Sequence, residues 1–390
     1  MTVRVLHSIH DISAGEWNAL DLCGQPFLHH EFLAALEDSG CACQNTGWSP
    51  HHLVVVDDAQ TLSAAMPLYL KSHSFGEFVF DFSWAEAYAQ AGLNYYPKLV
   101  SAIPFTPANG PRIIRANSAD NGSDKQLLTA LTELTSNNDL SSAHVLYADE
   151  TTQQSLNEDA NWLPRTSCDF HWFNRDYQSM DHFFEHFRAD KRKKARRERR
   201  RVEEQGISFR TLRGNEMTRE LCNVVFSFSE HTFNEHGHEH YLNADFFYRI
   251  AQSLSKSMMV KLAEFQGEAV AAAVFFRSDD TLFGRYWGSA ANFHSLHFET
   301  CYYQGIEYCI EHGLKKFEPG TQGEHKVPRG FEPALTHSYH FIRDQRFRSA
   351  LRQYLQRERD AVGRYAAEMK EHVPFHRQHI DANVSTPDET

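Results

Sequence analysis

Two stretches of the chain share one order of apolar and polar positions. Phe27 to Leu36 and Tyr241 to Ile250 each read as a helix; two aligned positions are identical and three more keep their aromatic, acidic or aliphatic character. Further along, Leu53 to Leu70 and Val260 to Arg277 each run from apolar residues through a polar turn to apolar residues again, the pattern of a β-hairpin. The offsets, 214 and 207, preserve the order and change the length of one connecting loop.

Each half then continues with a strand, a helix and a strand. In the first half Gln126 to Ser136 is expected to be helical and Ala143 to Tyr147 extended. In the second, Thr281 to Gly288 reads as a strand. Phe298 to His312 reads as a helix, with apolar residues at 298, 302, 306 and 310. Gly313 ends it, and Leu314 to Phe317 forms the next strand. Asp149 to Pro164 is polar and reads as a loop near the boundary, and Phe183 to Glu204 as one continuous helix. The expected organisation is a first unit over 1–165, a basic linking helix over 180–205 and a second unit over 206–345. A helical extension over 346–382 and a disordered tail over 383–390 follow.

At 390 residues, two domains are the natural expectation, and 41% hydrophobic residues supply ample core. No apolar run approaches the ~18 residues that span a bilayer. The N-terminus lacks the order of an export signal. Seven cysteines without a Cys-x-x-Cys pair argue against a disulfide framework, so a cytoplasmic location is expected. The net charge of −12 is unevenly spread: residues 188 to 201 carry +8, leaving about −20 elsewhere. An acidic protein with one dense basic segment can still grip a polyanion locally.

Four stretches resemble a bacterial FemAB-like family. These are Met66–Lys71 through Gly76–Trp84 to Tyr95–Lys98 and Pro104–Pro107; the basic helix ending Glu204-Gln-Gly206; Arg285-Tyr-Trp-Gly288 with Leu296–Glu299 and Cys301–Gln304; and Gly323–Lys326 with Arg329-Gly-Phe331. The resemblance implies an α/β (α+β) fold of two tandem GNAT or Fem-type acetyltransferase units, each a mixed twisted sheet flanked by helices and joined by the basic helix. It also implies acyl or aminoacyl transfer to an amine, related to cell-wall precursors or peptides. Acyl-coenzyme A or aminoacyl-tRNA would be the co-substrate, with no tightly bound cofactor. In open α/β sheets ligands sit where strands end and loops part, so the chemistry is sought between Arg285–Gly288 and Gly320–Phe331.

By resemblance Lys326 takes the place of a lysine that stabilises developing negative charge; His325 replaces a neighbouring aromatic, and Arg329 stands where an aromatic would. Lys326 and Arg329, three apart on a glycine-rich loop, could hold a carboxylate, phosphate or oxyanion, and His325 could relay a proton. Arg285-x-x-Gly288-x-Ala290 matches the string by which acetyltransferases hold the coenzyme A pyrophosphate. Donor-binding candidates are therefore Arg285, Tyr286, Trp287, Gly288, Gly320, Gly323 and Glu324. Asp81, Trp84, Tyr95 and Glu299 are acceptor-site candidates. On the basic helix, Arg192, Lys193, Lys194, Arg196 and Arg197 are candidates for phosphate contact, tRNA included.

The histidines at 231, 236, 238 and 240 lie among acids, and His-Glu-x-x-His is absent from the chain, so no metal site is expected. A non-catalytic binding module with the same fold is the alternative to an enzyme.

Overall fold

The computed structural model describes residues 2–117, 122–235, 237, 239–321 and 323–376. Packing divides the chain into two compact units, 1–167 with 241–255 and 335–363, and 168–240 with 256–334 and 364–390. The boundaries at 167/168 and 334/335 fall inside two long strands, Trp162–Phe173 and Glu332–Ile342.

In the first unit, strands Thr2–Leu6, His52–Val56, Leu62–Met66 and Ile114–Arg115 form an antiparallel sheet in that order. A second run joins Trp48–Pro50, Tyr69–Lys71, Lys98–Ser101 and Ser142–Val145 to the end of Glu332–Ile342. Helix Gly122–Asn137 turns Leu127, Leu128 and Leu131 onto a core that includes Leu53, Val55 and Met66. Two segments that match in sequence face each other here. Helix His30–Asp38 meets helix Ala244–Ser253 through Phe32 and Phe246, ring centroids 5.6 Å apart, and Asn243 donates to the Ser39 carbonyl at 2.8 Å. The buried stripe Phe246, Phe247, Ile250 and Ala251 is what draws 241–255 out of the second unit, where chain order had placed it.

In the second unit the strand order is Ile207–Arg213, Met258–Phe265, Glu268–Arg277, Thr281–Ser289, Lys316–Glu318, then the end of Trp162–Phe173. The two predicted hairpins are present, one in each unit. Three local expectations change. Residues 150–157, read as loop, form a helix capped by Asp149, whose carboxylate accepts from the Thr152 amide. The basic helix is two helices, Met180–Glu185 and Ala189–Glu204. They break where the His186 carbonyl accepts from the His376 amide and the Arg188 amide donates to the Pro374 carbonyl. The helix before Gly313 contains a π-helical stretch, Glu299–Tyr303. The end of the chain, including the tail from 383, lies outside the described residues, whose C-terminal helix is Gln345–His372.

Candidate active site

Strand Thr281–Ser289 pairs in parallel with Lys316–Glu318 over three residues only, ending at Phe283 opposite Glu318. Beyond that the two part. On its other edge the same strand bulges: Val274 faces Tyr286 while Phe275 faces Gly284, so Arg285 is the extra residue. Bulges of this kind re-aim a strand beside functional sites. Gly284 allows the departure, because a Cβ there would stand 3.2 Å from the Pro319 Cα. The opening is a cavity of about 80 Å³ lined by Phe275, Arg285, Tyr286, Trp287, His297 and Cys301, among others. A second hollow of about 200 Å³ shares Trp287 and His297 with it and continues along Ser289–Phe293.

The loop after Pro319 turns through Gly320 and Gly323, at φ +96° and +100°, values that only glycine adopts without strain. It then winds into the 3₁₀ helix Glu324–Arg329. This brings Lys326 inside, 2% exposed, with Nζ donating to the carbonyls of Gly320 at 2.7 Å and Thr321 at 3.1 Å. Burial lowers its pKa to about 8, against the opposing pull of Asp169 and Cys301. The same ammonium moderates the Cys301 thiol, which burial otherwise pushes well up. Cys301 lines the cavity; Lys326 does not, but lies close enough behind it for its charge to act on the thiol.

His325 stays exposed and bonds the Tyr302 hydroxyl at 2.8 Å. Its pKa is lowered by burial of part of the ring and by Lys326 and Arg329. His297, in the cavity wall, is held to about 4 by burial and the neighbouring cations, so it is neutral at pH 7 and able to accept a hydrogen bond.

Arg329 does not face the cavity as a free cation. It is 4% exposed, its Nε and Nη2 reach the Glu198 carboxylate at 3.1 and 2.8 Å, its Nη1 donates to the His325 carbonyl, and its guanidinium lies 3.4 Å over the Phe298 ring. It braces the loop that carries Lys326. Glu324 is likewise occupied, accepting from the Tyr365 hydroxyl at 2.9 Å.

The Arg285–Ala290 string is not an open turn. Gly288 sits inside the strand opposite Ala272, and a Cβ on it would lie 2.0 Å from the Phe228 carbonyl carbon of helix Arg219–Glu235. Close helix packing explains this glycine. Tyr286 and Trp287 do line the cavity. Glu299, an expected acceptor contact, is buried in the π-helical stretch, bound by Arg199 at 3.0 Å and by the Gln304 amide at 2.9 Å.

On helix Ala189–Glu204, Ala195, Glu198 and Val202 face inward while Lys193, Lys194, Arg196 and Arg197 are exposed and Arg192 is half-buried. Arg196 pairs with Asp181 at the surface, at 2.9 Å.

The remaining acceptor candidates belong to a buried cluster of the first unit. Lys98 Nζ lies 2.5 Å from Asp81 and 2.8 Å from Glu77; the Tyr95 hydroxyl donates to Asp81 at 2.5 Å; the Trp84 ring is also buried. Reading the sequence did not point to Asp169, His171, Glu318, Cys301, His297 or Tyr302. The first three signal themselves only as a strand alternation, 169 and 171 on one face with Glu318 near the His171 register. Among the described residues no set of three or more histidines, cysteines or carboxylates is placed to hold a metal ion; His236 and His238 lie outside them.

The chain belongs to the FemAB-like family, described as peptidoglycan biosynthesis/recognition, whose model matches residues 8–377. Among solved structures, L-PGS from Bacillus licheniformis aligns at 10% identity over 83% of this chain and 95% of that one, with a TM-score of 0.50. A conserved protein of unknown function from Bacteroides thetaiotaomicron aligns at 9% identity over 87% and 99%, also at 0.50. FemX aligns at 12% identity over 79% and 92%, at 0.46. At these identities the likeness is one of fold. No curated protein matches the sequence. No described helix is long and apolar enough to cross a membrane.

Proposed function

We propose that the protein transfers an acyl or aminoacyl group from an activated ester or thioester to an amine of a cell-wall precursor or peptide, in the second unit. The observation that carries this reading is the buried Lys326 ammonium close behind Cys301, a residue of the cavity wall where strands Thr281–Ser289 and Lys316–Glu318 part. The donor carbonyl would enter beside the bulge at Arg285. As the amine attacks, the carbonyl oxygen gains negative charge and the cation stabilises it in a site of low dielectric. The attacking nitrogen then loses a proton, for which neutral His297 and the His325–Tyr302 pair are acceptors on the cavity side; collapse of the oxyanion breaks the ester or thioester bond, and the departing hydroxyl or thiol takes up that proton. The amine attacks directly: Cys301, the thiol at the cavity, is held protonated by burial and is a poor nucleophile.

The first unit argues for the same assignment by contrast. Its parallel pair, Lys98–Ser101 with Ser142–Val145, is equally short and ends with the Leu146 amide on the Ser101 carbonyl at 3.0 Å, but the gap beyond it is filled. Segment 108–112 is stitched alongside, with Arg112 donating to the carbonyls of Leu146 and Ala108, both at 2.7 Å.

For the donor, aminoacyl-tRNA is the reading we favour. The coenzyme A string is closed by helix packing, whereas the basic helix turns a row of cations outward. Calorimetric titration with acetyl-coenzyme A and with charged tRNA, at two salt concentrations, tests it. Salt-sensitive binding of tRNA is expected. Binding of acetyl-coenzyme A alone, followed by acetyl transfer, would replace the donor and keep the reaction class. Absence of any transfer with either donor across amine acceptors would favour a binding module.

A further inference from the structure

The segment from Ser72 to Ala85 folds with its polarity inverted. Its only formal charges, Glu77 and Asp81, are buried with Ser74, while Phe75, Phe80 and Phe82 stand 55%, 51% and 43% exposed. Polar groups normally face water and rings the core, so the arrangement needs a cause. It is not a slack loop. Two buried lysines tie it down from beneath: Lys98 Nζ binds Ser74 Oγ and Glu77 at 2.8 Å and Asp81 at 2.5 Å, and Lys71 Nζ donates to the Phe75 carbonyl at 3.2 Å while lying 3.7 Å over the Trp48 ring. Gly76, at φ +80°, makes the turn against Phe105, whose ring a Cβ would meet at 2.5 Å.

The rings form one patch. Phe82 lies 5.6 Å from Phe75 and stacks 6.1 Å from Phe80. The Phe80 carbonyl accepts from Arg165, whose other partner, Glu358, bonds the 47% exposed Tyr354 at the patch edge.

We propose that this patch is a shallow membrane-docking site that inserts Phe75, Phe80 and Phe82 into the interface of a lipid bilayer. Two features favour lipid over a protein partner. The three rings offer roughly 300 Å² of exposed apolar surface, well short of the ~800 Å² per side of a stable protein interface. And the segment's own two carboxylates are turned inward onto Lys98, as burial among acyl chains and glycerol backbones requires; the charges beside the rings are Glu86, one turn along helix Phe82–Gln90, and the Arg165–Glu358 pair. Phenylalanine inserts while tyrosine sits at headgroup level, matching the central rings and the peripheral Tyr354.

The test is flotation of the full chain with vesicles of phosphatidylcholine alone and of phosphatidylcholine mixed with phosphatidylglycerol. The wild type is expected to float with both. A Phe75→Ser, Phe80→Ser, Phe82→Ser variant with an unchanged melting midpoint should partition at least about tenfold more weakly. Phe80→Trp provides a reading independent of that variant's folding: its emission should shift to the blue when phosphatidylcholine vesicles are added. Equal partition of wild type and triple variant overturns the proposal. So does binding that requires phosphatidylglycerol and vanishes in salt, which would assign it to surface cations. A wild-type dimer in gel filtration that the triple variant loses would make a second copy the occupant and equally overturn it.

Discussion

Glu198, one of two acids in the basic run from 188 to 201, holds Arg329 in a buried two-point ion pair and accepts a third hydrogen bond from the Tyr303 hydroxyl at 2.9 Å. The helix that turns its cations outward thus grips, from its inner side, the loop that carries Lys326. Replacing Glu198 by Gln leaves a buried guanidinium with its partner's charge gone and one of the two acceptor oxygens lost. Breaking a buried pair from one side costs about 3–5 kcal/mol, so urea unfolding should show a loss of that order for Glu198→Ala and less for Glu198→Gln. A melt of Glu198→Ala indistinguishable from wild type would show that the pair braces nothing.

Lys326→Ala should lower turnover by roughly 10²–10³ with little change in KM, as expected when an interaction made mainly in the transition state is removed. Lys326→Met should behave alike, while Lys326→Arg keeps a cation and part of the rate. If Lys326→Ala retains full kcat, the charge-stabilising role is wrong.

The depressed pKa of Lys326 also makes a statement about pH. Folded, the group titrates at about 8, where an ordinary lysine does so at 10.5. Between those values the unfolded chain binds the proton more tightly, so this residue makes stability rise with pH across that window. Activity runs the other way, falling as the ammonium is lost above about pH 8. Denaturant unfolding and rate profiles for wild type and Lys326→Met check both signs: the stability slope should flatten in the variant.

Gly288→Ala separates two explanations of one glycine. With Phe228 backbone 2.0 Å from the new Cβ, the strand and helix Arg219–Glu235 must move apart, which costs roughly 1–3 kcal/mol. A stable variant whose only defect is weaker donor binding would instead restore the phosphate-turn reading.

Charge reversal at Lys193, Lys194 and Arg197 should leave the fold intact, since all three side chains are exposed. Each phosphate contact removed lowers the slope of log K against log salt by about 0.7–0.9. A slope for tRNA that does not change would move the polyanion site elsewhere.

The hairpins, the strand–helix–strand of each half and the glycines of the 320–330 loop were legible because they rest on local periodicity and turn chemistry. The bulge at Arg285 was not, since register is decided by the partner strands Glu268–Arg277 and Lys316–Glu318. Arg329 looked like a ligand-binding cation because its partner lies 131 residues away. A clue existed: Ala195, Glu198 and Val202 fall at i, i+3 and i+7, an inward stripe in which the acid replaces an apolar residue. Helix Ala244–Ser253 was assigned to the second unit by its place in the chain. Its match to Phe27–Leu36 reflects helices that pack on each other in the first.

Arg112 gives the duplication its asymmetry. By lacing its own guanidinium through the carbonyls of residues 108, 110, 111 and 146, the earlier copy has sealed the crevice that the later copy leaves ajar. With the donor confined to the later copy, a titration should saturate at a single equivalent per chain.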